Sequence, residues 1–273
     1  MEDKIHAEIK RFVLESKHNL FSAADEPYFD EPLVGFAAAD DQLFQDYKQI
    51  IGSFHKTPQE ILASASGSAV KAATVIVWIL PVTDRTRESN RLEKIYPSRA
   101  WAETRNFGEK LNVALRQHLV DWLKENQYQA VAPQLAPDWQ EYLDTPVGIA
   151  STWSERHAAY AAGLGTFSLN DALITPRGIA HRCGSIITNL GLTPSPRSYL
   201  YFRHNCLFYR NGTCGICINR CPVGALSISG HDKTGCREHV YGTIPRAVAD
   251  DYGTPQTGCG LCQTGVPCEA KIP

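Results

Sequence analysis

The sequence predicts a mixed α/β fold, an α/β or α+β sandwich, followed by a small loop-rich module dense in cysteine. Two patterns and a break between them predict it. Apolar residues at three- and four-residue spacing alternate with short β-branched runs through the first part of the chain. Eight of the nine cysteines fall after residue 200. Between these regions lies "LTPSPRSYL", whose paired prolines and serines mark a junction. The boundary is set there, with residues 1–198 as the α/β domain and 199–273 as the cysteine module.

Each element has its own signal. In the opening helix Ile5, Ile9, Phe12 and Val13 form one apolar stripe, and in "DDQLFQDYKQIIG" Leu43, Phe44, Tyr47, Ile50 and Ile51 form another, ended by a glycine suited to a C-cap. "TPQEIL" carries a capping box, with Thr57 as N-cap, Pro58 at the first helical position and Glu60 three residues after the cap. "TVIVWIL" is β-branched and unbroken, so it reads as a strand buried on both faces. The charged run "TDRTRESNRLEK" reads as a solvated loop, with an active-site lid as the alternative. A long helix then aligns Phe107, Leu111, Leu115, Leu119, Trp122 and Leu123, and "CGSIITNLGL" reads as a second central strand.

Composition excludes several classes of function. With 43% hydrophobic and 21% charged residues the 273-residue chain is of ordinary globular type. A formal net charge of -2 leaves no electrostatic footprint for nucleic acid or an anionic membrane, so neither is an expected partner. The longest apolar run, "AATVIVWILPV", falls short of the ~20 residues that span a bilayer. The N-terminal "MEDKIHAEIKRFVLESKHN" interleaves charge with apolar residues, unlike a secretory signal, and the expected location is cytoplasmic.

In a reducing cytosol nine cysteines are a poor disulfide framework. Cys183 stands alone and reads as a small buried hydrophobe. The other eight, Cys206, Cys214, Cys217, Cys221, Cys236, Cys259, Cys262 and Cys268, make two sets of four. Cys214-x2-Cys217 puts two sulfurs on one turn, as zinc ribbons and iron–sulfur proteins both do. Cys221-Pro222 favours iron–sulfur, because in bacterial ferredoxins the cysteine before proline crosses to the other of two cubanes. By ferredoxin logic one 4Fe-4S cluster takes Cys206, Cys214, Cys217 and Cys268, and the other Cys221, Cys236, Cys259 and Cys262. Zinc and disulfides stay open as alternatives. Two clusters would form a wire for single electrons.

Upstream, "SERHAAYAAGLGTFSLNDALIT" reads as a helix capped by Ser154 and broken by two glycines. The turn either brings backbone amides close to a ligand or ends the helix as an ordinary C-cap. Its neighbours His157, Tyr160, Asn170, Asp171, Arg177, His181 and Arg182 can carry proton or charge chemistry, and each has a packing or surface role as its alternative.

From Ser154 to Cys262 the order E-R-x-A-x-x-A-G-L-G, an apolar "LIT", Arg-Gly, "GSIITNLGL" and the cysteine module is similar to the epoxyqueuosine reductases and, more distantly, the corrinoid reductive dehalogenases. The resemblance implies a nitroreductase-like α/β domain ahead of a ferredoxin-like two-cluster module. It also implies a cobalamin candidate site to which the clusters feed electrons. Glu155 and Arg156 match the family's E-R pair, and Gly163, Leu164 and Gly165 match its turn. Thr166, Phe167, Ser168, Asn170 and Arg177 follow as cofactor-binding candidates, with His157, Tyr160 and Asp171 as catalytic ones. The chain departs from the tRNA-modifying members in three ways. No acid stands between Pro146 and Glu155, "TFSLND" replaces their segment after the turn, and the chain reaches Pro273 without their helical repeats. The expected function is therefore an iron–sulfur reductase of an unidentified small molecule, not of tRNA, fed by a donor such as a ferredoxin or flavodoxin. The alternative is a non-catalytic electron-transfer protein with an adaptor domain.

Overall fold

The computed structural model describes residues 1–21 and 26–273. Its centre is a four-stranded antiparallel sheet in the order β1-β2-β8-β3. β2 (Thr74–Pro81) is buried along its whole length and pairs with β1 (Leu33–Ala38) on one side and β8 (His181–Thr188) on the other. β3 (Ala130–Val131) covers only Ile187 and Thr188, so His181 to Ile186 of β8 lie at an open edge. That edge positions the site.

The two-residue period of β2 feeds two cores. Ile76, Trp78 and Leu80 meet α1 (Glu2–Glu15) and α5 (Arg99–Glu125) through Ile5, Ile9, Val13, Leu111, Leu115 and Leu119. Val75, Val77 and Ile79 meet α2 (Leu43–Ile50), α3 (Pro58–Ser66) and α6 (Glu155–Ala161) on the opposite face. Trp78 fits because Gly184 faces it: a Cβ there would lie 2.4 Å from the indole. The indole N–H donates to Asn112 Oδ1 at 2.8 Å. At the start of α3 the capping box forms, Glu60 N–H donating to Thr57 Oγ1 at 3.3 Å and Thr57 N–H to Glu60 Oε2 at 2.8 Å. On α2 the apolar stripe is narrower than expected, since Ile50 is 57% exposed.

One expectation is corrected. "TDRTRESNRLEK" contains a helix, α4 (Asp84–Arg91), and its Thr86, Arg87 and Asn90 are buried rather than solvated. "LTPSPRSYL" runs along β1, where Ser195 accepts from Phe36 N–H and donates its own N–H to Phe36 O, both at 2.9 Å.

Small elements carry the rest: the hairpins β4 (Glu141–Tyr142) with β5 (Ala150–Ser151), and β6 (Thr166–Phe167) with β7 (Leu173–Ile174). Beyond residue 199 come α7 (Leu207–Asn211), α8 (Ile216–Asn219), β9 (Leu226–Ser227), β10 (Gly230–His231), α9 (Lys233–Glu238), a π-helical turn (His239–Thr243) and α10 (Ile244–Tyr252). A polar seam fastens this part to α4. The Arg220 guanidinium donates to the carbonyls of Asn90, Glu93, Leu261 and Thr264 at 2.9 to 3.1 Å, and Glu269 accepts from Arg91.

Candidate functional site

The eight late cysteines come together from distant points of the chain. Cys206, Cys214, Cys217 and Cys268 line one cavity, walled by Leu169, Ile174, Ile179, Phe208 and Val266. Cys268 is brought there because Ile179 N–H donates to Cys268 O at 2.9 Å, beside Gly178. At Gly178 φ is +81°, and a Cβ would meet Glu269 O at 2.1 Å, so the Arg-Gly step serves this crossing. Cys221, Cys236, Cys259 and Cys262 form a second neighbourhood, close enough for their charges to act on one another. The Cys259–Cys262 loop is moulded onto α5: Gly260, at φ +68°, has the Trp101 ring where a Cβ would stand.

The donor set suits a polynuclear metal group. All nine thiols are free. Burial, then the neighbouring sulfurs, push Cys217 and Cys259 up to about 11 and Cys268 up to about 12. Such thiols ionise at neutral pH only beside a strong cation. Among the described residues no three His, Cys, Asp or Glu side chains are gathered around a single-ion position. His239, one turn after Cys236, and Thr257, two residues before Cys259, bury side-chain polar atoms that find no protein partner.

The "SLND" turn joins the second thiol set to the sheet edge. Asn170, 6% exposed, donates from Nδ2 to Cys262 O at 3.0 Å, while its Oδ1 accepts from Ala172 N–H and the Ser168 hydroxyl. Asp171 holds φ at +58°, an uncommon value for a residue with a side chain. Its carbonyl accepts from Arg156 at 2.7 Å, and its carboxylate lies 3.1 Å from His231 Nδ1. Burial opposes a charge on His231, but Asp171 and Cys236 outweigh it and bring the imidazole up to about 9.

Beside this turn a charged cluster lies along the free edge of β8, drawn from Glu155 and Arg156 of α6, His181, Arg182 and Cys183 of β8, and Glu109 and Arg116 of α5. Arg116, 1% exposed, bonds Glu109 at 2.9 Å and Glu155 at 3.2 Å, and donates at 3.3 Å to the Cys183 carbonyl, which also accepts from Asn112 Nδ2 at 2.9 Å. Burial raises Glu109, yet Arg182 and Arg116 hold it down to about 2. Burial raises Glu155 as well, with Arg116 offsetting it only in part, and its Oε2 has no partner. Cys183, expected as a small buried hydrophobe, packs against the core on this face while part of its surface stays open; its sulfur lies 3.5 Å from His181 Nδ1, and burial and then Glu155 push the thiol up to about 12. A thiol, cations and carboxylates thus gather along one edge of the sheet.

Other candidate residues take different places. Ser154 caps no backbone group; its hydroxyl lies 2.7 Å from His157 Nδ1. His157 sits among Tyr47, His55 and Phe167, and burial, then His55, lower it to about 3, leaving it neutral. Tyr160 stacks on Tyr199 and Phe167. Thr166 accepts from Asn205 N–H at 2.8 Å, and Arg177 pairs with Asp30 at 3.2 Å. At Gly163 and Gly165 a Cβ would meet Pro196 O and Ile174 O, both at 2.5 Å, and Leu164 packs in the core. Protein backbone thus fills the space a ligand would need at the glycine turn.

Comparisons with known proteins find likenesses in sequence and in fold. No family model matches the chain. Its sequence resembles the epoxyqueuosine reductases. Those of Bacillus anthracis and Bacillus cereus are each 32% identical over 119 residues, 42% of this chain and 29% of theirs. The matched stretch spans less than a third of those relatives. In fold, a selenomethionine-labelled epoxyqueuosine reductase matches with a TM-score of 0.53 at 20% identity, over 98% of this chain and 66% of that one. An epoxyqueuosine reductase with a modified tRNA stem loop gives 0.54 at 19%, with the same coverage. A reductive dehalogenase, whose structure suggests a mechanism for B12-dependent dehalogenation, gives 0.52 at 15% over 84% of this chain and 29% of its own. The resemblance to the epoxyqueuosine reductases therefore holds in sequence and in fold, and that to the reductive dehalogenase in fold alone.

Proposed function

We propose that the chain is an iron–sulfur reductase in which two 4Fe-4S clusters feed single electrons to an acceptor in a crevice along the free edge of β8. The observation that carries this reading is the gathering of eight buried or half-buried thiols into two sets, one of them tied toward that edge by the Asn170–Cys262 bond. Cys206, Cys214, Cys217 and Cys268 would hold one cluster, and Cys221, Cys236, Cys259 and Cys262 the other. The clusters supply one-electron transfer. The chain's own residues exclude water around the sulfurs with Leu169, Ile179 and Val266, and offer the acceptor Arg156, the Cys183 thiol and the unpartnered Glu155 oxygen. The acceptor is a small reducible substrate or a corrinoid. Against a corrinoid, the glycine turn offers it no cradle. A tRNA substrate is the alternative raised by the relative solved with a stem loop.

Anaerobic purification from cells supplied with cobalamin, followed by iron, sulfide and cobalt analysis, tests the reading. About eight iron per chain is expected from two cubanes. Zinc in place of iron, or at most about four iron, would remove the wire. About one cobalt would identify the crevice's occupant as a corrinoid.

A further inference from the structure

The cavity of the first thiol set is nearly open to the surface on one side. Val266 and Pro267 line it from within and also line a broad surface hollow bounded by Ile216, Ala270, Lys271 and Arg91. Ile216 lies between Cys214 and Cys217 and is 42% exposed; Ile272, next to Lys271, is 40% exposed. A wall two residues thick therefore separates these sulfurs from whatever sits in the hollow.

The exposed cations beside this hollow are Arg91, Arg210 and Lys271. Lys271 is exposed, and Arg210 donates to Pro273 O at 3.1 Å on the neighbouring rim. Of the acids that meet these cations, Glu269 is buried, bound by Arg91 and by Gly265 N–H with Arg87 alongside. Glu88 lies 3.9 Å from Arg91, on its outer side.

We infer that this hollow is the docking site of a small acidic electron-carrier protein, which delivers electrons to the cluster held by Cys206, Cys214, Cys217 and Cys268. The inference rests on the reading of those thiols as a cluster site. Apolar contact over a thin wall, inside a ring of cations, suits a short-lived redox encounter: small in area, steered by charge and quick to separate. Ile216 and Pro267 supply the contact, and Arg91, Arg210 and Lys271 the steering.

Stopped-flow reduction of the iron-loaded protein by a reduced acidic flavodoxin tests it. The second-order rate should fall about tenfold or more from low to high salt, and by a similar factor in Lys271→Glu and Arg210→Glu at low salt. Lys271→Arg should keep the parent rate. Reduction by dithionite, which needs no docking, should be equal in all of them, and iron content checks that each variant is intact. Iron-loaded variants that accept flavodoxin electrons at the parent rate would overturn the docking site while leaving the clusters standing. So would charge reversals that weaken binding of an RNA stem loop but not the flavodoxin rate. Absence of iron would strike the cluster reading instead.

Discussion

His55 and Asn170 show two opposite fates of a buried polar side chain. His55 is 1% exposed, stacks near Trp153 and Tyr47, and has no partner for either ring nitrogen. Burial, with a smaller push from Lys48 and a counter-pull from Glu60, lowers it to about 4. Between about pH 6.5 and about 4 the unfolded chain carries this proton and the folded one does not. Stability is therefore whole above that window and falls through it, at about 1.4 kcal/mol per pH unit for this residue. His55→Phe keeps the stacking, so its denaturation midpoint should depend less on pH across that range than the parent's; equal slopes would show that the ring is not buried neutral. Asn170 is instead fully used, with three bonds from one amide. Asn170→Ala should cost about 1 to 3 kcal/mol, because the Cys262 carbonyl loses its donor. If the proposed clusters are bound, the same change should alter the electron paramagnetic resonance signal of the iron-loaded protein, since Asn170 bonds Cys262 O and also lines the cavity of Cys217 and Cys268; an unchanged signal would separate Asn170 from both thiol sets.

Among the elements, α4 does most to join the two parts, and it is the one hydropathy hides. Its buried side chains are Thr86, Arg87 and Asn90, a polar stripe whose partners Thr264 and Glu269 lie far along the chain. By contrast β2, α3, α5 and β8 are legible because their signals are local: a β-branched run, a capping box, an apolar stripe. The same divide runs through the site. Cysteine spacing makes the two thiol sets legible, while the packing of Gly163 and Gly165 on Pro196 and Ile174 arises from contacts that no short window contains. The seam makes a test of α4. Glu269, 5% exposed, accepts from Arg91 at 2.9 Å and from Gly265 N–H at 2.7 Å, with Arg87 at 3.6 Å. Removing it strands a buried guanidinium, so Glu269→Ala should lower stability by about 3 kcal/mol. Breaking the exposed Lys10–Glu31 pair should cost less than about 1 kcal/mol. Chemical denaturation of the two variants side by side decides it, and equal losses would deny the seam its role.

In the whole molecule the two parts are held together by different physics. The sheet has an apolar core on each face, built from more than a dozen buried side chains apiece. Beyond residue 199 the buried apolar side chains are Cys206, Ala225, Leu226, Ile244, Leu261 and Val266, too few to stabilise a segment of that size. Domains below about 80 residues need a staple, and under the proposed reading metal held by the gathered thiols supplies it here. Metal removal should therefore act unequally. Anaerobic chelation of iron followed by trypsin should open the segment around Arg203, Arg210, Arg220, Lys233 and Arg237, while a fragment carrying β1, β2 and β8 survives. Before chelation the same bonds should resist, Arg220 above all, since its guanidinium is spent on carbonyls of both parts. Loss of both parts together would mean that the sheet leans on the module across the α4 seam. Unchanged resistance would mean that the polar seam, and not the metal, holds the module folded.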